Sequence, residues 1–356
     1  MNKEYPNYIS PKRRPVATPE KIVIDGKAQF GTFDEPFETL NLLDCRKPCG
    51  ALYPHCLNRK RLTEWEAFEI NMDELSLVSA IYNTGSLGFS IMVVYDKAAH
   101  KIYSWKNFVS AKAAHVAPQL VNGVSELKTK KSDYKIINDL KNGKARAVGY
   151  SENKKFGKFE IDMSVERVSP ISNVCIPFGK NKPLYSEKDF FKAVGYISIN
   201  GKKYESNGNT VSIIDDHKGY YPFIAHYDWL TAMGKLNIGG TEKYFAFNLT
   251  RNQSINQDDY NENLIWLGND SSPLPPVKFT RDKKNKNIWY VKDEHGCVDI
   301  RFEIDQTFKM PMHFIVIDVK YLLPFGTIYG TLKDTDGNVY KVDGMTGIGE
   351  YKKTRM

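Results

Sequence analysis

The sequence contains the stretch Gly195-Tyr196-Ile197-Ser198-Ile199-Asn200-Gly201-Lys202-Lys203-Tyr204, which is typical of a β-hairpin. Its pattern occurs twice in the chain, and this repeat indicates the fold class. Asn200-Gly201 is a type I′ turn signal, because both residues tolerate the positive φ angles of that turn. The spacing Gly195…Gly201-x2-Tyr204-x3-Gly208 recurs as Gly330…Gly337-x2-Tyr340-x3-Gly344, again with a turn signal, Asp336-Gly337. The repeat predicts two similar antiparallel β units.

Two further repeats occur in the same order and set the domain boundary. Phe159-Glu160-Ile161-Asp162 recurs at 302–305, and Ile176-Pro177-Phe178-Gly179 recurs in similar form at 323–326. The second copy ends the chain, so the first copy should end the first unit near residue 214, to within about fifteen residues. We therefore expect an extended basic arm over residues 1–30 and β-barrels over residues 31–214 and 215–356.

Short strand patterns fill both halves of the sequence. Leu75–Tyr82 and Leu87–Tyr95 predict a hairpin around Asn83-Thr84-Gly85. A turn or two of helix is expected only over Asp133–Leu140 or Glu187–Ala193. Many short antiparallel strands indicate a barrel or a sandwich, and a barrel of eight or more strands can enclose one small ligand.

Composition excludes several classes of protein. The 356 residues are 41% hydrophobic and 13% aromatic, which favours a globular β protein. The net charge of +8 is spread over many short basic pairs, so we expect no nucleic-acid partner. No apolar run approaches the roughly 20 residues of a membrane helix, and no apolar leader follows Met1. We therefore predict a cytoplasmic protein without a membrane span.

The five cysteines do not form a disulfide framework, since their number is odd and no leader is visible. Cys45, Cys49, His55 and Cys56 are the sharpest local cluster, and thiolates with imidazole suit zinc. Structural zinc sites pair two short motifs of the type Cys-x2–4-Cys, whereas this sequence has one such motif, Cys45-x3-Cys49. We predict no metal, although a metal at these four residues stays open.

Motifs for the common cofactors and hydrolases are missing. The sequence has no P-loop, no dinucleotide fingerprint, no Gly-x-Ser-x-Gly elbow and no His-Glu-x-x-His pair. We therefore expect no cofactor.

The densest polar stretch in an apolar context is Asp215-Asp216-His217, followed by Tyr221 and Trp229. An aspartate beside a histidine can set its tautomer or raise its pKa, so we assign Asp216, His217 and Tyr221 as candidate catalytic residues. Asp215 and Trp229 are candidate ligand-binding residues. A turn at a strand end is the structural alternative.

Arg251 and Glu262 are two further candidate ligand-binding residues. Arg251 follows one predicted strand and Glu262 opens the next. The pair could bind a carboxylate at a barrel mouth, or form an ion pair across a hairpin.

The sequence resembles the family called domain of unknown function 2804. The resemblance lies in Arg61-Leu62-Thr63-Glu64-Trp65-Glu66, where Thr63 stands in place of lysine, and in three blocks further along the chain. These blocks are Gly195…Gly201-x2-Tyr204 with Asp216-x2-Gly219 and Trp229-x4-Gly234, Asn248-Leu249-Thr250-Arg251 with Glu262-Asn263 and Gly268, and Phe325-Gly326-x3-Gly330 with Asp336-Gly337 and Gly347-x2-Glu350.

The central block is also similar, more loosely, to tandem-lipocalin proteins of the hydroxyneurosporene-synthase and AttH type. Their Asp-His-Glu-Trp run is matched at Asp216 and His217, whereas Lys218 and Gly219 replace the last two residues. The resemblance implies an all-β chain of two tandem lipocalin-like antiparallel barrels. Some relatives hydrate isoprenoids or cyclise apolar substrates, but activity has to be argued from the site.

The sequence leaves three functions open. The leading hypothesis is binding of an apolar small molecule, such as a lipid or isoprenoid, near the junction of the barrels at Asp216, His217 and Trp229. The alternative is a cofactor-independent acid–base enzyme, a hydratase, isomerase or cyclase. A third class is an interaction protein that uses its basic arm on a partner.

Overall fold

The computed structural model describes residues 5–313 and 318–355, which fold almost wholly into β-strands. The chain divides into two compact units. We call Val16–Tyr221 the N-terminal barrel, and Pro222–Met356 together with Met1–Pro15 the C-terminal barrel. The predicted arm and domain bounds stay a prediction, because compactness alone does not show which segments fold independently.

The strands of the N-terminal barrel are β1 Val23–Ile24, β2 Lys27–Ala28, β3 Gly31–Phe33, β4 Leu62–Asn71, β5 Leu75–Asn83, β6 Leu87–Asp96, β7 Lys101–Ser110, β8 Ala114–His115, β9 Gly123–Thr129, β10 Ser132–Asp139, β11 Lys144–Asn153, β12 Gly157–Arg167, β13 Ser172–Pro177, β14 Pro183–Ile199, β15 Lys202–Glu205 and β16 Val211–Tyr220. The main sheet has the antiparallel order β7-β6-β5-β4-β16-β14-β12-β11-β10-β9-β8. The sheet curls until its ends meet, since β8 lies against β5 and Asn107 on β7 donates to Ser151 on β11 at 2.9 Å.

The strands of the C-terminal barrel are β17 Ile224–Ile238, β18 Thr241–Arg251, β19 Leu264–Leu267, β20 Asp270–Pro273, β21 Lys278–Arg281, β22 Ile288–Lys292, β23 Val298–Lys309, β24 Met312–His313, β25 Asp318–Lys333, β26 Val339–Lys341 and β27 Thr346–Arg355. They form a second curled antiparallel sheet in the order β20-β19-β18-β17-β27-β25-β23-β22-β21. The predicted fold class, two tandem lipocalin-like antiparallel β-barrels, is confirmed.

Helices are confined to single turns in the described chain. They are α1 Asn58–Arg61 and the 3-10 turns Pro11–Arg13, Leu42–Asp44, His55–Leu57, Ala111–Ala113 and Leu140–Asn142. The predicted helical turns over Asp133–Leu140 and Glu187–Ala193 were wrong, because residues 133–139 pair within β10 and residues 187–193 within β14, and only Leu140 belongs to a 3-10 turn. No helix of the described residues is long and apolar enough to cross a membrane.

The two copies of the repeated hairpin close differently. Asn200 and Gly201 have φ angles of 51° and 81° between β14 and β15, which agrees with the predicted tight turn. At Asp336-Gly337 the predicted hairpin is present, since β25 pairs with β26, but the tight turn was wrong, because a five-residue loop separates Lys333 and Val339. The Asp334 carboxylate accepts hydrogen bonds from the Asp336 and Asn338 backbone N–H groups and from Asn338 Nδ2, and these bonds hold the loop.

The inner face of the N-terminal barrel can be followed through three neighbouring strands. Phe68 on β4, Ile214 on β16 and Phe191 on β14 all belong to its large apolar core. Because side chains alternate between the faces of a strand, residues an even number of positions away share that inner face. A smaller apolar cluster, with Leu62, Cys175, Tyr185 and Tyr220, joins residues 22–45 to the other end of the barrel.

The start of the chain packs on the C-terminal barrel. The buried Arg13 guanidinium donates to the carbonyls of Asn263 at 2.8 Å and Leu274 at 3.0 Å. Ser10 and Lys12 both bind Asp259. Arg13, the middle residue of Lys12-Arg13-Arg14, therefore makes contacts within the chain.

Candidate functional site

A layer of charged side chains lies on the inner face of the N-terminal barrel, between its two apolar clusters. Asn173, Glu187, Asp216 and Glu66 are register partners in one row across β13, β14, β16 and β4. Their exposure is 2% or less. We call this row, with its neighbours Lys218 and Asp189, the carboxyl layer.

Glu66 lies at the end of the row and is anchored from across the barrel. Its carboxyl accepts hydrogen bonds from Ser125 on β9 and from Asn138 Nδ2 on β10, the latter at 2.8 Å. Burial, and then the charge of Asp216, raise the pKa of Glu66 to about 7. Glu66 therefore binds a proton near neutral pH.

Asp216 is the neighbour of Glu66 across the strands and has a cation beside it. Lys218 Nζ lies 2.7 Å from Asp216 Oδ1, and both side chains are essentially fully buried. Burial raises the pKa of Asp216 to about 6, whereas Lys218 opposes this rise. The environments therefore favour an ionised Asp216 beside a protonated Glu66.

Glu187 and Asp189 extend the layer along β14. The Tyr185 hydroxyl donates to Glu187 Oε2, and Arg167 Nη2 lies 2.9 Å from Asp189 Oδ2. Burial, and then the charge of Asp189, hold the pKa of Glu187 well above its usual range. Glu187 is therefore a second buried carboxyl whose surroundings favour its protonated form.

The layer contains acceptor oxygens that its own side chains leave unsatisfied. Among the described residues, Asn173 Oδ1, Glu187 Oε1, Asp216 Oδ2 and Asn138 Oδ1 are buried and have no hydrogen-bond partner. Leaving a buried polar atom unpaired costs about 1–3 kcal/mol. Water or a ligand that donates hydrogen bonds would satisfy these atoms.

A cavity of about 430 Å³ lies next to the layer. Leu42, Leu62, Arg59, Glu64, Asn83 and His115 are among its lining residues. Glu64 pairs with Lys218 in register and precedes Glu66 by two residues, so it lies on the same inner face. The cavity thus reaches Glu64, one row along the inner face from Glu66 and Asp216.

Asp215 and His217 lie on the outer face of β16, opposite to Asp216. His217 Nε2 is 2.9 Å from Ser186 Oγ, 2.8 Å from Lys188 Nζ and 3.0 Å from Asp215 Oδ1. All three groups meet the same ring nitrogen. The arrangement therefore differs from a serine–histidine–aspartate triad, in which serine and aspartate bind opposite nitrogens.

Tyr221 joins His217 through an aromatic stack. The His217 and Tyr221 rings lie 4.6 Å and 5.6 Å from the Trp65 ring, which also stacks on Tyr82. The structure thus brings Asp215, His217 and Tyr221 together on one face. It does not bring Asp216 to that face, and the catalytic assignment of these residues stays a prediction.

Trp229, Arg251 and Glu262 lie in the C-terminal barrel. Trp229 Nε1 donates to Asn248 Oδ1 at 2.7 Å, and the Glu262 carbonyl accepts from Asn248 Nδ2. Arg251 is paired with Asp228, with Arg251 Nη1 3.3 Å from Asp228 Oδ2, and the assignment of Arg251 and Glu262 to a ligand site stays a prediction. Asp228 lies directly opposite Arg251 in the sheet, whereas Glu262 belongs to the loop before β19.

Comparison with known families identifies the chain. The family described as "Domain of unknown function (DUF2804)" matches residues 15–356. The chain belongs to this family. The predicted resemblance is therefore confirmed.

Solved structures resemble this DUF2804 chain only distantly. Kievitone hydratase from Nectria haematococca has 11% identity and a TM-score of 0.47, covering 82% of this chain and 88% of its own. A putative AttH from Nitrosomonas europaea has 12% identity and a TM-score of 0.42, covering 83% and 93%. No curated protein matches the sequence.

The cysteines of the DUF2804 chain are all free thiols in the structure. Cys45 is buried and contacts the Asn181 carbonyl, Cys56 is exposed, and His55 Nε2 lies 3.1 Å from the Leu43 carbonyl. Among the described residues, no group of three or more histidine, cysteine, aspartate or glutamate side chains is arranged to hold a metal.

The sequence interpretation did not assign Glu66, Glu187, Asp189 or Lys218 to the site. Glu66 belongs to the stretch Trp65-Glu66-Ala67-Phe68 and precedes Phe68 by two residues. In the structure Glu66 shares its face with Phe68. The sequence signal was an acidic residue at a position where the alternation of the strand otherwise places apolar residues.

Proposed function

We propose that the N-terminal barrel is a cofactor-independent acid–base enzyme of the hydratase, isomerase or cyclase class, acting on an apolar substrate. The observation that carries the proposal is the carboxyl layer. A protonated Glu66 and an Asp216 paired with Lys218 are neighbours inside an otherwise apolar barrel. Two carboxyls whose surroundings favour different protonation states are suited to the roles of acid and base.

In this proposal Glu66 is the proton donor and Asp216 the proton acceptor. For a hydration, the Glu66 proton passes to one carbon of a carbon–carbon double bond. Asp216 takes a proton from water, whose oxygen bonds to the other carbon. The product is an alcohol, and transfer of the proton from Asp216 back to Glu66 restores the site. This balance needs no cofactor.

The unsatisfied oxygens of the layer support the proposal. Asp216 Oδ2 and Glu187 Oε1 belong to register partners on β16 and β14, so both can contact one water or one substrate hydroxyl. The apolar residues that flank the layer suit a substrate that is otherwise hydrocarbon. Low water content also strengthens the electrostatic effect of each charge.

Isotope labelling tests the reaction. An organic extract of the source cells is incubated with the protein in water enriched in deuterium and oxygen-18, and products are examined by mass spectrometry. We expect the protein to transfer deuterium, with or without oxygen-18, to apolar compounds, and Glu66→Gln to lose this labelling. Glu160→Gln is the matched control, because Glu160 is a partly exposed residue of β12 paired with Lys158.

Binding without turnover is the second candidate, and the cavity at Leu42, Leu62 and His115 favours it. Native mass spectrometry of freshly purified protein, followed by extraction, would then recover an apolar compound that the protein leaves unchanged. Labelling that survives in Glu66→Gln would contradict the assignment of the acid. A bound compound without any labelling would contradict the enzyme proposal. The cytoplasmic location and the apolar ligand stay predictions of the sequence.

A further inference from the structure

A row of one histidine and two lysines crosses the inner face at one end of the C-terminal barrel. His226 on β17 is the register partner of Lys353 on β27, and Lys353 is the partner of Lys320 on β25. Like charges directly opposite each other destabilise a sheet. The next row outward is balanced, because Asp318 faces Arg355 there. An anion bound beside Lys353 and Lys320 would therefore relieve their repulsion.

Two arginines on the same face add to this charge. Arg251 Nη1 lies 3.3 Å from Asp228 Oδ2, and Arg281 Nη2 binds Asp228 Oδ1. The Arg281 guanidinium also lies 3.9 Å from the centre of the Trp289 ring and 5.6 Å from that of Tyr351. Both guanidiniums are therefore held in place at the barrel end.

The charges do not cancel within this group. Arg251, Arg281, Lys320 and Lys353 carry four positive charges, and Asp228 supplies one negative charge. Burial, followed by the charges of Arg251, Arg281 and Lys353, lowers the pKa of His226, although Asp228 opposes this. The local potential is therefore positive, with an excess of three charges when His226 is neutral.

The side chains are also open enough to bind a ligand. The Arg251 side chain is 43% exposed and that of Arg281 23%, and both lysines are exposed. Their described contacts use one terminal nitrogen of each guanidinium, which has five N–H donors. Forked guanidiniums beside point-charge ammonium groups are suited to phosphate oxygens.

We propose that this end of the C-terminal barrel, formed by Arg251, Arg281, Lys320 and Lys353, binds the phosphate group of a small organic phosphate. A dianion matches an excess of three charges better than a carboxylate does. The site lies in a different barrel from the carboxyl layer, so the proposal stands apart from the acid–base function.

Direct binding of a defined probe tests the proposal. The probe is 1-naphthyl phosphate, measured by calorimetry on the full chain at low salt, with 1-naphthoate and neutral 1-naphthol as comparisons. We expect 1:1 binding of the phosphate, at least about tenfold tighter than binding of the naphthoate, and weaker still for the naphthol. Inorganic phosphate should compete.

Variants of the two exposed lysines locate the site. Lys320→Gln and Lys353→Gln should each weaken phosphate binding about tenfold, since each removes one charge-assisted contact. Lys278→Gln should leave binding unchanged, because Lys278 is an exposed lysine of the same barrel that pairs with Glu294. Arg251→Gln gives a further test at a partly exposed position.

Three outcomes would overturn the proposal. Naphthol that binds as tightly as the phosphate would show that charge has no role. Naphthoate that binds as tightly would contradict the preference for a dianion. Equal effects of Lys278→Gln and Lys320→Gln would show general attraction rather than a site. Labelling that depends on Glu66 would remain in each of these cases.

Discussion

The two barrels carry charged side chains on their inner faces at very different depths. In the N-terminal barrel, Asp216 and Lys218 are 0% and 1% exposed, and carboxyls predominate around them. In the C-terminal barrel, Asp228 is as deeply buried, but its arginine partners reach solvent and cations predominate. Deep carboxyls are neutralised by a proton or by a buried cation, whereas charges near solvent can be neutralised by a ligand. The five predictions below test this difference.

The largest effect should come from breaking the deep ion pair. Lys218→Met leaves Asp216 buried without its cation, and we expect a loss of about 4 kcal/mol in the free energy of unfolding. Urea unfolding, followed by hydrogen exchange of the N-terminal strands, measures it. Lys158→Met, at an exposed lysine of the same barrel, should change stability by less than about 0.5 kcal/mol. A loss below about 1 kcal/mol for Lys218→Met would contradict deep burial of the pair.

The next effect compares the repeated glycines. Gly195 and Gly330 have φ angles of 144° and 122°, and a β-carbon at either would lie 2.0 Å from a backbone oxygen of the neighbouring strand. Gly195→Ala and Gly330→Ala should each cost about 3 kcal/mol. A β-carbon at Gly208 would have no atom within 4 Å, so Gly208→Ala serves as the control. Thermal unfolding in which all three variants behave alike would show that the repeat lacks this shared constraint.

The cluster of Asp228, Arg251 and Arg281 in the C-terminal barrel should be less sensitive to loss of its carboxylate. Asp228→Asn removes the carboxylate between Arg251 and Arg281, and we expect a loss of about 2 kcal/mol, because both guanidiniums can turn towards water. The same urea experiment measures it. If this loss exceeded that of Lys218→Met, exposure would not set the energetic difference between the barrels.

Stability should also depend on pH through the carboxyl layer. The pKa of Glu66 is raised to about 7 in the folded protein. At pH values above the ordinary pKa of a glutamate, the unfolded state therefore binds fewer protons than the folded state, and the free energy of unfolding falls as pH rises. Between about pH 5 and pH 8, the free energy of unfolding of Glu66→Gln should fall by about 1–2 kcal/mol less than that of the parent protein. Parallel pH profiles for the two proteins would refute a proton on Glu66.

The smallest effect concerns the two lysines that face each other in the row His226–Lys353–Lys320. Lys320→Gln removes one member of the His226–Lys353–Lys320 row, and we expect a gain of about 0.5 kcal/mol in the absence of any anion. Added phosphate should stabilise the parent protein more than the variant. Destabilisation by the substitution would mean that the row is already neutralised within the chain.

Local signals predicted much of the fold. The Asn200-Gly201 turn and the Leu75–Tyr95 hairpin depend on residues adjacent in sequence, and both are present. Glu187–Ala193 was predicted as a turn or two of helix. Partners on β16, far away in sequence, make it a strand instead.

The candidate site was only partly predictable. Asp215, Asp216 and His217 were identified as a polar group, but neighbours in a strand point to opposite faces and cannot share one site. Glu66 and Glu187 meet Asp216 only through the register of three strands, and no local pattern specifies that register. Arg251 was identified, but its partner Asp228 was not, because the pairing of β17 with β18 decides it.

The protonation state of Glu66 tests the central claim most directly. Infrared difference spectra of the parent protein against Glu66→Gln report the carbonyl stretch of a protonated carboxyl. The account predicts that this band is present at about pH 6, lost by about pH 9 and absent in the variant. A band that is missing at about pH 6, or that persists unchanged in Glu66→Gln, would contradict a neutral acid within the N-terminal barrel.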